Sequence, residues 1–220
     1  MDEDEIKILD QFIAELNQNL EKNLPKIAAQ FVNDYESSEF DPLRDEITKC
    51  LLCDFCQAAI TLTNHLTENF LKTMLVYHES LENGEHNDLT TLFSKGLDIY
   101  DNMNLVDTID KACEHEIINE EQKATLHKFR HDFRNAYSHA SKRKIFKDSK
   151  IRTQKLSLNK ELKYELEEPK ESLASDLVFA QGLIQTLLSK QIAFDYFKTV
   201  DKIIRDALTE FYKNSDKTST

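Results

Sequence analysis

Apolar residues recur at three- and four-residue intervals over most of the chain, the spacing that collects them on one face of an α-helix. Ile6, Leu9, Ile13, Leu16 and Leu20 open the pattern and predict a first helix with a narrow apolar seam. Such a seam suits the core of a helical bundle, with self-association through it as the second option. The acidic run Asp2 to Glu5 favours the N-terminus of this helix. Pro25 is expected to kink or divide it, since proline removes a helical hydrogen bond, and Ile27 and Phe31 continue the stripe. Asp41-Pro42 predicts the next entry, with Asp41 as N-cap and Pro42 at the first helical position. From there to Glu82 a straight helix would run about 60 Å, longer than a compact domain needs, so a bend or break is expected within it. Asn83-Gly84 supplies the stop. Leu89, Leu92, Phe93, Leu97 and Tyr100 then predict a short helix, and Val106, Ile109, Ala112, Cys113 and Ile117 another.

Asn119-Glu120-Glu121-Gln122 has the form of a capping box. The helix it opens carries Leu126, Phe129, Phe133, Ala136, Tyr137 and Ala140 on one face and is expected to reach about Ala140. The periodicity lapses between residues 142 and 168, where a hairpin, an extended loop and a broken helix all fit the short alternation of apolar and charged positions. A last long helix is predicted from near Glu171 to about Tyr212, burying Leu173, Leu177, Ala180, Ile184, Leu187 and Phe197, with Gly182 allowing a close helix contact or a bend. Lys213 to Thr220 has no apolar residue, so the expected organisation is one domain over 1–213 and a disordered tail over 214–220.

Composition sharpens the fold class. Three Gly and three Pro in 220 residues argue against turn-rich β architecture and for an all-α bundle with an irregular or hairpin insertion around 142–168. The longest uncharged run, Leu177 to Ser189, is too short to span a bilayer, so no membrane partner is expected. Four cysteines, three of them in an apolar stretch, and the polar opening Met1 to Glu5 indicate a reducing, cytoplasmic setting. A formal charge of −12 argues against nucleic-acid binding over the whole surface. The charge is unevenly spread, however. Lys142, Arg143, Lys144, Lys147, Lys150, Arg152 and Lys155 stand with a single acid, Asp148, within fourteen residues.

The residues suited to chemistry gather just before that basic segment. Opposite the apolar face of the helix after Asn119 lie His127, His131, Arg134, Asn135, Ser138 and His139, whereas ordinary solvated faces use Glu and Lys far more often than His. Two metal-like spacings read otherwise. Cys50, Cys53 and Cys56 match C-x2-C-x2-C, but among Leu51, Leu52, Phe55 and Ala58 they read as small buried hydrophobes. His127 and His131 have a zinc-binding interval but lack the Glu of H-E-x-x-H and a third ligand, so neither a metal nor a cofactor is expected.

Arg134-Asn135-Ala136-Tyr137-Ser138-His139 reads R-N-x-x-x-H and resembles the signature of the HEPN superfamily, helical domains many of which are metal-independent ribonucleases. The resemblance implies RNA cleavage by attack of the ribose 2′-hydroxyl on the adjacent phosphate. His139 would move protons near neutral pH, Arg134 would neutralise the developing phosphate charge, and Asn135 would orient His139 or the phosphate. On one ideal helix Arg134 and His139 stand about 140° apart. HEPN ribonucleases typically pair two such helices across an interface, so the resemblance implies a homodimer with a composite cleft. Arg130 and His131 would help to line it, and Lys142, Arg143, Lys144 and Lys147 would hold flanking phosphates. HEPN toxins paired with a nucleotidyltransferase antitoxin commonly carry a Tyr two residues after the motif His; Ser141 stands there in this chain. That departure points away from neutralisation by that route and towards another inhibitor or a defence-system partner. The alternative expectation is a catalytically silent HEPN-like module that binds a partner protein or a nucleotide.

Overall fold

A computed structural model describes residues 2–82, 89–134, 150–154, 156–158, 164–166, 168–174 and 181–218. Its helices are α1 (Glu3–Val32), α2 (Asp41–Leu52), α3 (Cys56–Glu82), α4 (Leu89–Tyr100), α5 (Leu105–Glu114), α6 (Glu120–Phe129) and α7 (Gln181–Thr218). A π-helical turn (Arg130–Arg134) continues α6, and four short strands, β1 (Lys150–Thr153), β2 (Leu156–Leu158), β3 (Tyr164–Leu166) and β4 (Lys170–Leu173), are the described β-structure. The fold is all-α.

α3 is the hub. It packs against α2, α4, α5, α7 and the π-helical turn, and it contributes Ile60, Leu66, Phe70, Leu71 and Met74 to the main core. Phe197, Val200 and Ile204 of α7 and Ile109 and Ala112 of α5 close that core from either side. A smaller cluster joins Leu75 and Val76 to Tyr100, and Gly96 of α4 permits the approach. A Cβ on Gly96 would fall 2.9 Å from Val76 Cγ1, inside van der Waals contact.

The expected break between Pro42 and Glu82 falls at Cys53 to Phe55, where Asp54 takes a left-handed φ of 65°. Asp41 is not the N-cap of α2. Phe40 holds that position without a side-chain cap, and the Asp41 carboxylate turns back to accept from the Tyr35 and Ser37 amides at 2.8 and 2.7 Å. Pro25 does not divide α1, which runs unbroken from Glu3 to Val32; the proline is exposed, as is Glu21, whose carbonyl loses its helical donor.

Two larger expectations are corrected. The seam of α1 is not bundle core. Asn23 and Ile27 are the buried residues of this helix, whereas Ile6, Leu9, Ile13 and Leu20 are exposed. The last helix also does not begin near Glu171. Glu171 and Leu173 lie in β4, α7 begins at Gln181, Leu187 is exposed, and nothing lies within 4 Å of where a Gly182 side chain would start. Leu177 and Ala180 lie outside the described residues.

The ambiguous insertion contains a hairpin. β1 pairs antiparallel with β4 and β2 with β3, and the inner ladder is offset by one residue from the outer. Pro169, which has no N–H to give a ladder, sits at the step between them.

The capping box of α6 is formed as the sequence predicts. Asn119 Oδ1 accepts from the Gln122 amide and Gln122 Oε1 accepts from the Asn119 amide, both at 2.9 Å. Asn119→Ala is expected to cost about 1 kcal/mol in urea unfolding, since the Gln122 amide loses its side-chain acceptor.

Candidate functional site

The motif helix is held by its apolar side. Leu126 is buried against the main core, and the rings of Phe129 and Phe133 lie 5.5 Å apart, both against Tyr196 of α7 at 4.8 and 4.7 Å. Tyr196 is itself fixed, because its hydroxyl donates to Asn64 Oδ1 of α3 at 2.7 Å. Burial pushes its phenol well above the usual range, so it stays a donor.

The π-helical turn occupies Arg130–Arg134, directly ahead of Asn135. A π turn is a rare insertion in a helix and recurs at functional sites, because its extra residue rotates the next side chains to a new bearing. Arg130, at the start of the turn, is half-buried, and its Nε lies inside the protein without a hydrogen-bond partner among the described residues. It lines a small closed cavity together with Asn64, Thr67 and Tyr196. His131 is exposed instead, with Nδ1 3.0 Å from Asp132 Oδ1. Arg130 and His131 therefore stand in different surroundings: Arg130 Nε is buried and the His131 imidazole faces solvent.

Arg134 ends the turn and is described by its backbone alone. Asn135, His139, Lys142, Arg143, Lys144 and Lys147 lie outside the described residues. Of the basic segment, Lys150 and Arg152 are described in β1, Arg152 exposed and Lys150 Nζ 3.7 Å from Glu171.

His127 is occupied elsewhere. Its Nε2 lies 3.0 Å from Asp110 Oδ1, the same oxygen that Lys123 Nζ reaches at 3.0 Å, so it joins α6 to α5. The His127 hydrogen bond, together with the weaker one from Lys123, holds the Asp110 carboxyl below the usual carboxylate range. Among the described residues no three His, Cys, Asp or Glu side chains gather closely enough to hold a metal ion. Cys50, Cys53 and Cys56 are free thiols around the α2–α3 break, with Cys56 buried and its thiol pushed up to about 12 by burial and then by Asp54.

A second polar cluster escapes any reading of spacing. Arg44 of α2, 1 % exposed, meets Asp201 of α7 at 3.1 Å, and its Nη2 donates to the Gln30 and Asn33 carbonyls at the end of α1. Arg205 donates to Asp201 Oδ2 at 2.9 Å and to the Asn33 and Asp34 carbonyls. The Tyr35 ring sits between the two guanidiniums, 5.0 and 4.9 Å from them. Burial, then the Asp201 charge, keeps its phenol protonated. Every charge in this cluster faces a partner or a helix-terminal carbonyl, so its work is to cap α1 and join it to α2 and α7. Arg44 and Asp201 are 157 residues apart in the chain, and no sequence signal links them.

No described helix is long and apolar enough to cross a membrane. Comparison of the chain with protein-family models, with curated proteins and with solved structures found no match.

Proposed function

We propose that this chain is a metal-independent endoribonuclease of the HEPN kind, acting as a homodimer in growth arrest or antiviral defence. The observation that carries the reading is the sequence Arg134-Asn135-Ala136-Tyr137-Ser138-His139, whose first residue ends a π-helical turn in which Phe133, with Phe129 just before it, packs on Tyr196. The ribose 2′-oxygen attacks the adjacent phosphorus while one histidine takes its proton. The bond from phosphorus to the 5′-oxygen breaks, and a second proton donor neutralises the leaving oxygen. Arg134 stabilises charge on the phosphoryl oxygens, and His139 from each copy supplies the acid and the base. Lys142, Arg143, Lys144 and Lys147 add sequence-independent affinity for flanking phosphates.

The test is cleavage of a mixed RNA pool in excess EDTA, read as new 2′,3′-cyclic phosphate ends. Wild type is expected to cleave, and Arg134→Ala and His139→Ala to fall by about a hundredfold or more. Equal product from all three proteins removes the enzymatic reading. A formal charge of −12 favours the second reading, a silent HEPN-like module that docks a partner protein or nucleotide. Expression in cells separates the two: a nuclease slows growth in a His139-dependent manner and a docking module does not.

A further inference from the structure

The N-terminal two-thirds of α1 presents an exposed apolar face. Ile6, Leu9, Phe12, Ile13, Leu20 and Leu24 are each between 39 and 49 % exposed. Ile6, Ile13 and Leu20 are spaced by seven, with Leu9 and Leu16 between them, so they form a seam of heptad period. The same stripe continues into the protein, where Asn23 and Ile27 are buried and Asn23 Nδ2 donates to the Leu51 and Leu52 carbonyls. The helix is therefore rooted at one end while its seam runs out into solvent.

We propose that this seam pairs with the α1 of a second copy of the chain, in an antiparallel two-helix contact. Three observations select that occupant. The heptad spacing is self-complementary, since a seam with one apolar residue every three or four positions packs knobs-into-holes against its own copy. The area is sufficient: the exposed apolar side chains offer on the order of 500 Å² per copy, so a pair buries on the order of 1,000 Å², where specific interfaces begin. The charge gradient sets the direction. Residues 2–15 hold Asp2, Glu3, Asp4, Glu5, Asp10 and Glu15 against Lys7 alone, whereas residues 16–32 hold Lys22 and Lys26 against Glu21. Parallel helices would stack the acidic ends on each other; antiparallel helices bring each acidic end to the other copy's lysines, with opposed helix dipoles.

This contact is separate from the RNA reading. α1 packs on α2 and α7, whereas α6 and the π-helical turn pack on α5 and α3 and, through Phe129 and Phe133, on Tyr196 of α7. The experiment is sedimentation equilibrium of the full chain from nanomolar to high micromolar concentration, on wild type, Ile13→Asp and Leu9→Asp, with circular dichroism to show that the variants are folded. Both substituted positions are exposed, so the fold does not depend on them. Wild type is expected at twice the 25.6 kDa chain mass, or at a higher multiple where the contact of the RNA reading forms as well, with the dissociation constant of the α1 contact rising at least tenfold in each variant. A wild type that stays monomeric throughout overturns the proposal, and the homodimer of the RNA reading with it, and leaves the seam to a different protein. A dimer indifferent to both substitutions also overturns it and places the dimer contact elsewhere, which leaves the RNA reading standing. Direction is read by lysine cross-linking of a mixture of 15N-labelled and unlabelled chains. Mixed-isotope links between Lys7 and Lys22 or Lys26 are expected; Lys7–Lys7 links overturn the antiparallel arrangement.

Discussion

Asp201→Ala is expected to destabilise the chain by about 3–5 kcal/mol, among the largest losses any single substitution here should produce. Asp201 is 2 % exposed and faces two guanidiniums, Arg44 at 3.1 Å and Arg205 at 2.9 Å. Removing the carboxylate leaves Arg44, which is equally buried, with the exposed Asp45 carboxylate at 4.0 Å as its remaining charged partner. The carbonyls of Gln30 and Asn33 still accept from Arg44, but they carry partial rather than full charge. Urea unfolding should show a lower midpoint with an unchanged slope, because the surface exposed on unfolding stays the same. Asp201→Asn, which keeps an acceptor oxygen, should lose less than Asp201→Ala. A loss under about 1 kcal/mol for the alanine variant would mean that water reaches the cluster and that it does not hold α1, α2 and α7 together.

Tyr196→Ala is expected to cost about 3–5 kcal/mol as well, and its effect should concentrate on the motif helix. The ring is 3 % exposed and makes an edge contact with Phe129 and a tilted contact with Phe133. Its loss leaves a cavity beneath α6 and the π-helical turn, and the turn has no stability of its own to compensate, since π geometry persists where packing holds it. Amide exchange over residues 126–133 should therefore accelerate more than exchange in α2. Tyr196→Phe separates the two contributions, for it keeps the ring and removes only the donor to Asn64 Oδ1. Its expected cost is about 1–2 kcal/mol, that of an orphaned buried acceptor. Uniform acceleration of exchange across the chain would show instead that Tyr196 supports the core as a whole and has no special hold on the motif helix.

These two sites differ in how far they could be read from residue order. Leu126, Phe129 and Phe133 declare their helix and its buried face by spacing alone, and the capping box of Asn119 and Gln122 declares where that helix starts. Which ring would meet them is another matter. Tyr196 comes more than sixty residues after Phe133, and its position depends on α7 lying across α3. The π-helical turn is equally invisible in the pattern, because apolar residues four apart suit an α-helix just as well. Arg130 and His131 are adjacent and chemically alike in the bare sequence, yet one faces a closed cavity and the other faces solvent.

The departures at the two chain ends have a shared cause. Periodicity reports that a face is apolar, but it does not report whether anything stands opposite. The seam from Ile6 to Leu20 has the spacing of a core helix and is nevertheless exposed at Ile6, Leu9, Ile13 and Leu20. At the other end, Leu173 and Leu177 keep a four-residue interval that suits a helix; pairing of β4 with β1 overrides that interval over Glu171–Leu173.

Local order in the sequence by itself determined the helical class, the break between α2 and α3, the cap of α6 and the grouping of Arg134, Asn135 and His139 in one short stretch. All of these depend on interactions between residues a few positions apart, where chain geometry leaves little choice. Tertiary structure alone decided that Arg44, Asp201 and Arg205 join three helices, that Arg130 Nε is buried, and that the α1 seam is left exposed. Those outcomes depend on which elements meet after the chain has folded back, over separations as long as 157 residues, and short-range spacing carries no record of that meeting.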